Sequence, residues 1–134
     1  MDIIVAVLLL IAFDRSKCRS FLKRYKLKQK SRSALSEADF CRRLPIDENN
    51  SSFVRAIRES LAKRPALYPE RIYPEDELWD GFDFEIDDFF DKSTMKFFWE
   101  HYAYLSDDVR SVGDLVKFLI RVRDEAKLEG LIKL

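Results

Sequence analysis

The chain is poor in the residues on which most recognisable active sites depend. It has three glycines and no Gly-rich run, so nothing in it can cradle a phosphate in the manner of a nucleotide-binding loop. One histidine, His101, and two cysteines, Cys18 and Cys41, cannot supply a His-based metal cage, a four-ligand zinc site, a disulfide framework or a Cys-His-Asp constellation. So few cysteines make a cytoplasmic or otherwise reducing location the default expectation. These absences argue against an enzyme, and neither a cofactor nor a metal is expected. Apolar and charged residues are plentiful, at 47% and 36% of 134 residues. That is enough for one domain of ordinary size, with roughly thirty residues to spare, and it excludes a disordered or collagenous chain.

Charge is balanced in sum, 24 against 24, but not in place. Arg15 to Arg32 holds nine cations and no acid: Arg15, Lys17, Arg19, Lys23, Arg24, Lys26, Lys28, Lys30 and Arg32. Glu75 to Asp91 holds nine carboxylates and no cation: Glu75, Asp76, Glu77, Asp80, Asp83, Glu85, Asp87, Asp88 and Asp91. The pattern predicts a basic arm, within a segment 1–34, joined to an acidic domain over 35–134. Ahead of the arm, Ile3 to Phe13 is an uninterrupted apolar run that includes Leu8, Leu9 and Leu10. As a helix it rises about 16 Å, half of a bilayer core. Its n-region is acidic at Asp2 and no small-residue cleavage site follows, which disfavours a secretory signal. The run together with Arg15, Lys17 and Arg19 fits attachment to the inner face of a membrane rich in anionic lipid. A strand or helix tucked into the protein's own core is the competing reading.

The remainder reads as helical. Residues 14–34 are a linker or a frayed basic helix. Ser36 can cap a short helix that stops before Pro45. A clearer helix follows Ser51 or Ser52, with Phe53, Val54, Ile57 and Leu61 inward and Arg55, Arg58, Glu59 and Lys63 outward. Pro65, Pro69 and Pro74 forbid long regular structure in the next stretch. From Trp79 to Phe90 acids alternate with aromatics, an extended piece turning into helix. Asp91 or Ser93 caps a helix over about 94–105. Ser111-Val112-Gly113-Asp114 has capping-box spacing, and the helix it opens stops near Gly130. The fold class is all-α: a small bundle of about four helices, with a long proline-bearing loop after the first bundle helix.

Two local motifs in this order resemble the acyl carrier protein superfamily: Ile72-Tyr73-Pro74-Glu75-Asp76-Glu77-Leu78 in the loop, and Ser111-Val112-Gly113-Asp114-Leu115-Val116 opening the last helix. The resemblance covers roughly residues 51–122. It implies a carrier-like bundle, but also a phosphopantetheine serine in an Asp-Ser-Leu motif at the start of the second helix. That serine should fall near Phe84 to Asp88, where this chain reads Phe-Glu-Ile-Asp-Asp. Ser93 is the nearest candidate for a prosthetic-group site, and it lacks the flanking pattern. The chain is similar to a carrier-like domain without an attachment point.

Other chemistry fits less well. The acidic segment lacks the ligand series of a calcium loop. His101 reads as a surface or satisfied core residue. The aromatics read mostly as core, with part left as an exposed patch. The function expected is therefore a non-enzymatic, carrier-like interaction domain, tethered to a membrane by its N-terminus. It would dock a protein with a basic surface through Glu75, Asp76, Glu77, Asp80, Asp83, Glu85, Asp87 and Asp88. No small-molecule substrate is expected. Nucleic acid is disfavoured, since the arm offers only Tyr25 for stacking and the domain repels phosphate. The alternatives are a genuine carrier modified at a non-standard serine, or a membrane or nucleic-acid tether working through the basic arm.

Overall fold

A computed structural model describes residues 19–78, 82, 84–102, 105 and 108–132. Among these residues there are five α-helices and no strand: α1 (residues 19–31), α2 (Glu37–Arg43), α3 (Ser51–Lys63), α4 (Lys92–His101) and α5 (Val112–Ile132). The molecule is an all-α bundle, with one helix more than the sequence suggests. An isolated bridge between Glu77 and Ser111 is the one β pairing among the described residues.

Local chemistry accounts for most helix starts. Ser36 accepts from the Asp39 N–H at 3.1 Å to open α2. Asp91 accepts from the Thr94 N–H at 2.8 Å to open α4, two residues earlier than the aromatic spacing suggests. At the head of α5, Ser111 Oγ accepts from the Asp114 N–H at 3.0 Å. The Asp114 carboxylate returns the favour to the Arg110 and Ser111 N–H groups, each at 3.1 Å, which completes a reciprocal cap. Those backbone donors, Arg110's foremost, hold the Asp114 carboxyl below the ordinary aspartate range. The stop expected at Gly130 is absent. α5 runs on to Ile132, because Gly130 does not take the left-handed conformation that ends a helix. That conformation appears instead after α3, at Ala66, with φ 55°, where the Leu67 N–H closes the helix onto the Ala62 carbonyl at 3.0 Å.

The core is centred on α3 and α5. Val54, Ile57 and Leu61 share one buried cluster with Val112, Leu115, Val116, Leu119 and Val122 and with Phe40, Ile72 and Phe98. Arg58 departs from the expected outward face. It is 1% exposed, because the buried stripe of α3 is wide enough to take in position 58 beside Val54 and Leu61. Its guanidinium lies 5.0 Å over the Phe40 ring, donates to the Leu35 carbonyl at 2.8 Å and stands 3.6 Å from Glu37. Burial pulls its pKa down, partly offset by Glu37.

The stretch read as linker or frayed helix is, from residue 19 onward, an integral helix. Tyr25 and Gln29, one turn apart, are buried. Tyr25 sits edge-on to Phe82 with ring centroids 5.6 Å apart. The Gln29 amide pairs with both backbone groups of Tyr68, donating to its carbonyl at 3.2 Å and accepting from its N–H at 3.0 Å.

Candidate partner-docking site

The loop between α3 and α4 is tied down at its middle. The Val112 N–H donates to the Asp76 carbonyl at 2.9 Å, the Gly113 N–H to Pro74 at 2.9 Å, and the Leu78 N–H to Arg110 at 2.8 Å. These bonds bring together the two motifs that carry the resemblance stated above. Gly113 is required by the closeness of this contact. A Cβ there would lie 2.5 Å from Leu44 Cδ2 and 2.9 Å from the Pro74 carbonyl oxygen, nearer than real atoms approach.

The loop's carboxylates consequently divide into two groups. Asp76 is turned inward, its side chain 2% exposed. It accepts from the Tyr25 hydroxyl, from both terminal nitrogens of Arg32 (Nη1 at 2.8 Å) and from the Tyr73 N–H at 2.9 Å. Arg32 in turn stacks 4.0 Å over the Tyr73 ring. Burial first, then Asp76, pushes the Tyr25 pKa far above its ordinary value. Burial opposes the Arg32 cation, but its bonds to Asp76 leave its pKa raised. Asp76 was expected among the docking carboxylates. Its binding capacity is used within the fold, and an inward carboxylate meeting a fork of donors cannot present itself to a partner.

The outward group is clearer. Glu75 is exposed beside Arg43, at 3.3 Å, and Glu77 is exposed on the bridge to Ser111. Glu85 pairs with Arg64. Asp88 accepts from the Ser60 hydroxyl at 2.9 Å and lies 3.9 Å from Lys63. Asp87 has no ionic or hydrogen-bonded partner among the described residues. Oxygens of Glu85, Asp87 and Asp88 gather within 4.8 Å of one another. Their spacing would suit a cation, yet all three are exposed and two already face cationic side chains. Asp80 and Asp83 lie outside the described residues, as do Ile3, Leu8, Leu9, Leu10, Phe13, Arg15 and Lys17. No described helix is long and apolar enough to cross a membrane. Arg19 is exposed in the first described turn of α1, and Ser93 is exposed in the first turn of α4.

A feature the sequence did not single out joins the outward acids. Phe84 and Ile86, Met95, Phe98 and Trp99 of α4, Leu105, and Leu119 of α5 line an open apolar groove of about 650 Å³. Glu85 and Asp87 form part of its wall. Trp99, expected in the core, is 60% exposed, because Phe98 takes the inward position beside it and meets it edge-on at 5.2 Å. The signal was present in the alternation of acids with aromatics over 82–90. Without the position of α4 it could not be resolved into a groove. The family models, curated proteins and solved structures with which the chain was compared gave no match.

Proposed function

We propose that the protein is a non-catalytic, carrier-like docking domain whose groove between residues 84–87, α4 and α5 receives a cationic amphipathic segment of a protein partner. The observation that carries this reading is the union of an apolar trough with an acidic edge. Phe84, Ile86, Met95, Trp99 and Leu105 offer apolar contact while Glu85 and Asp87 supply negative charge at the rim. Such a surface suits a helix with aliphatic residues on one side and Lys or Arg beside them. Carboxylates would steer the encounter and make it salt-dependent, and burial of the exposed indole would supply most of the affinity.

A direct test uses a labelled synthetic peptide of leucines and lysines patterned as an amphipathic helix, with its glutamate counterpart as control. Fluorescence anisotropy should show binding of the lysine peptide alone, weakening with salt. Trp99→Ala should weaken it roughly 30-fold, about 2 kcal/mol, and Asp87→Lys should reduce it further. Equal binding of the two peptides, or indifference to both substitutions, refutes the reading.

A second reading is kept alive by one observation. Ser93 is exposed at the start of α4, the helix that follows the long loop, and the resemblance to carrier proteins puts a prosthetic-group serine at the start of a helix after such a loop. A mass gain of one phosphopantetheine at Ser93, after co-expression with a phosphopantetheinyl transferase, would replace the docking domain with a true carrier.

A further inference from the structure

We propose that the outward face of α1 is a docking surface for an anionic lipid membrane. Residues Arg19, Lys23, Lys26, Leu27 and Lys30 recur at three- and four-residue spacings, so they share one side of the helix. All five are exposed, and Leu27, in the middle of the cations, is 63% exposed. The opposite side carries Tyr25 and Gln29, buried against Phe82 and the backbone of Tyr68. A helix end that is cationic outward and anchored inward is not a loose arm. It presents a fixed charged stripe.

The stripe's four cations have no ionic partner among the described residues. On the flank the situation differs: Lys28 lies 4.0 Å from Asp76, and Arg24 and Lys28 share a shallow cavity of about 280 Å³ with Asp76 and Glu77. Lysines on long stems can reach headgroup phosphates while the exposed leucine enters the acyl boundary. In sequence, the stripe follows closely on the apolar run Ile3 to Phe13.

A planar membrane is favoured over nucleic acid on two grounds. The apolar residue on the stripe is aliphatic, whereas bases stack on aromatic rings, and Tyr25 is buried. Residues 33–134 carry 22 acids against 15 bases, so a polyanion that wraps the molecule meets repulsion, while a plane touches only the basic side. Because Tyr25, Gln29 and Arg32 fasten α1 to the bundle, lipid contact along the stripe would hold the domain in one orientation. This inference does not rest on the groove.

The test is sedimentation of the full chain with phosphatidylcholine vesicles, with and without phosphatidylserine, at low and high salt. Each cation held at an anionic surface is worth about fivefold in partition. Lys23→Gln/Lys26→Gln/Lys30→Gln should therefore weaken binding to the phosphatidylserine vesicles roughly 100-fold, with an unchanged thermal melt. Leu27→Ser should cost roughly tenfold, and Trp99→Ala should bind vesicles as the parent does. The inference is overturned if the triple variant partitions like the parent, or if the parent does not prefer the anionic vesicles. Tighter binding to a short DNA duplex at equal phosphate concentration also overturns it. Loss of vesicle binding by the parent with retained peptide binding in the groove would remove this inference alone.

Discussion

Replacing Asp76 by Asn probes the joint on which α1, the long loop and the start of α5 converge. The substitution keeps size and removes charge. Arg32, its side chain 13% exposed, would lose its counter-ion and face an amide nitrogen in place of one carboxylate oxygen. The Tyr25 hydroxyl and the Tyr73 N–H would compete for the oxygen that remains. Removing one partner of a buried, hydrogen-bonded pair costs about 3–5 kcal/mol, because the other charge stays behind uncompensated. Domains of this size are stable by about 5–15 kcal/mol, so the variant would surrender roughly a fifth or more of the total. The midpoint of thermal unfolding should fall by about 10–20 °C. Urea denaturation followed by far-ultraviolet circular dichroism measures this directly, with the slope against denaturant expected to hold constant. Asp76→Asn within 1 kcal/mol of the parent would refute the placement of this carboxylate as a structural tie. A normal melt combined with weakened binding of the lysine peptide would return it to the docking surface.

Other outcomes follow from the same structure. Ala66 holds a left-handed conformation that favours glycine, so Ala66→Gly should raise stability by about 0.5–1 kcal/mol in the same urea assay. The raised pKa of Tyr25 makes its contribution complete below the ordinary tyrosine value of 10.0 and progressively lost as pH rises above it. The alkaline limb of the stability profile should therefore flatten in Tyr25→Phe. Asp91 and Asp114 have the opposite sign. Backbone donors lower both pKa values, so the stability they confer is present above the ordinary 3.8 and fades as pH falls below it; Asp91→Asn and Asp114→Asn should each blunt that acid limb.

What could be read in advance was whatever depends on neighbours in sequence. The reciprocal cap of Ser111 and Asp114, the Ser36 cap and the inward stripe of α3 need only local spacing, and each is found where expected. What could not be read depends on partners far along the chain. Arg58 is buried because Leu35 and Glu37 receive it, and nothing adjacent to position 58 announces that. Asp76 looks like any member of an acidic run until Tyr25, 51 positions away, and Arg32, 44 away, close on it. Residues 14–34 read only as a linker or a frayed basic helix, since a helix that buries a tyrosine and a glutamine leaves little periodic apolar signal. The groove was illegible for a related reason: it exists only where residues 84–87 lie beside α4 and α5.

The three backbone bonds from residues 74–78 to the head of α5 turn one long connection into two short ones, with a fixed point between them. Chain lengthened on one side of that point need not disturb the other, and loop closure penalises added length only weakly. Length added on the α3 side must spare Leu67, which is buried, and Tyr68, both of whose backbone groups hold the Gln29 amide, but it leaves the wall of the groove in place. An insertion between Pro74 and Leu78 would instead pull the start of α5 out of register with everything packed upon it.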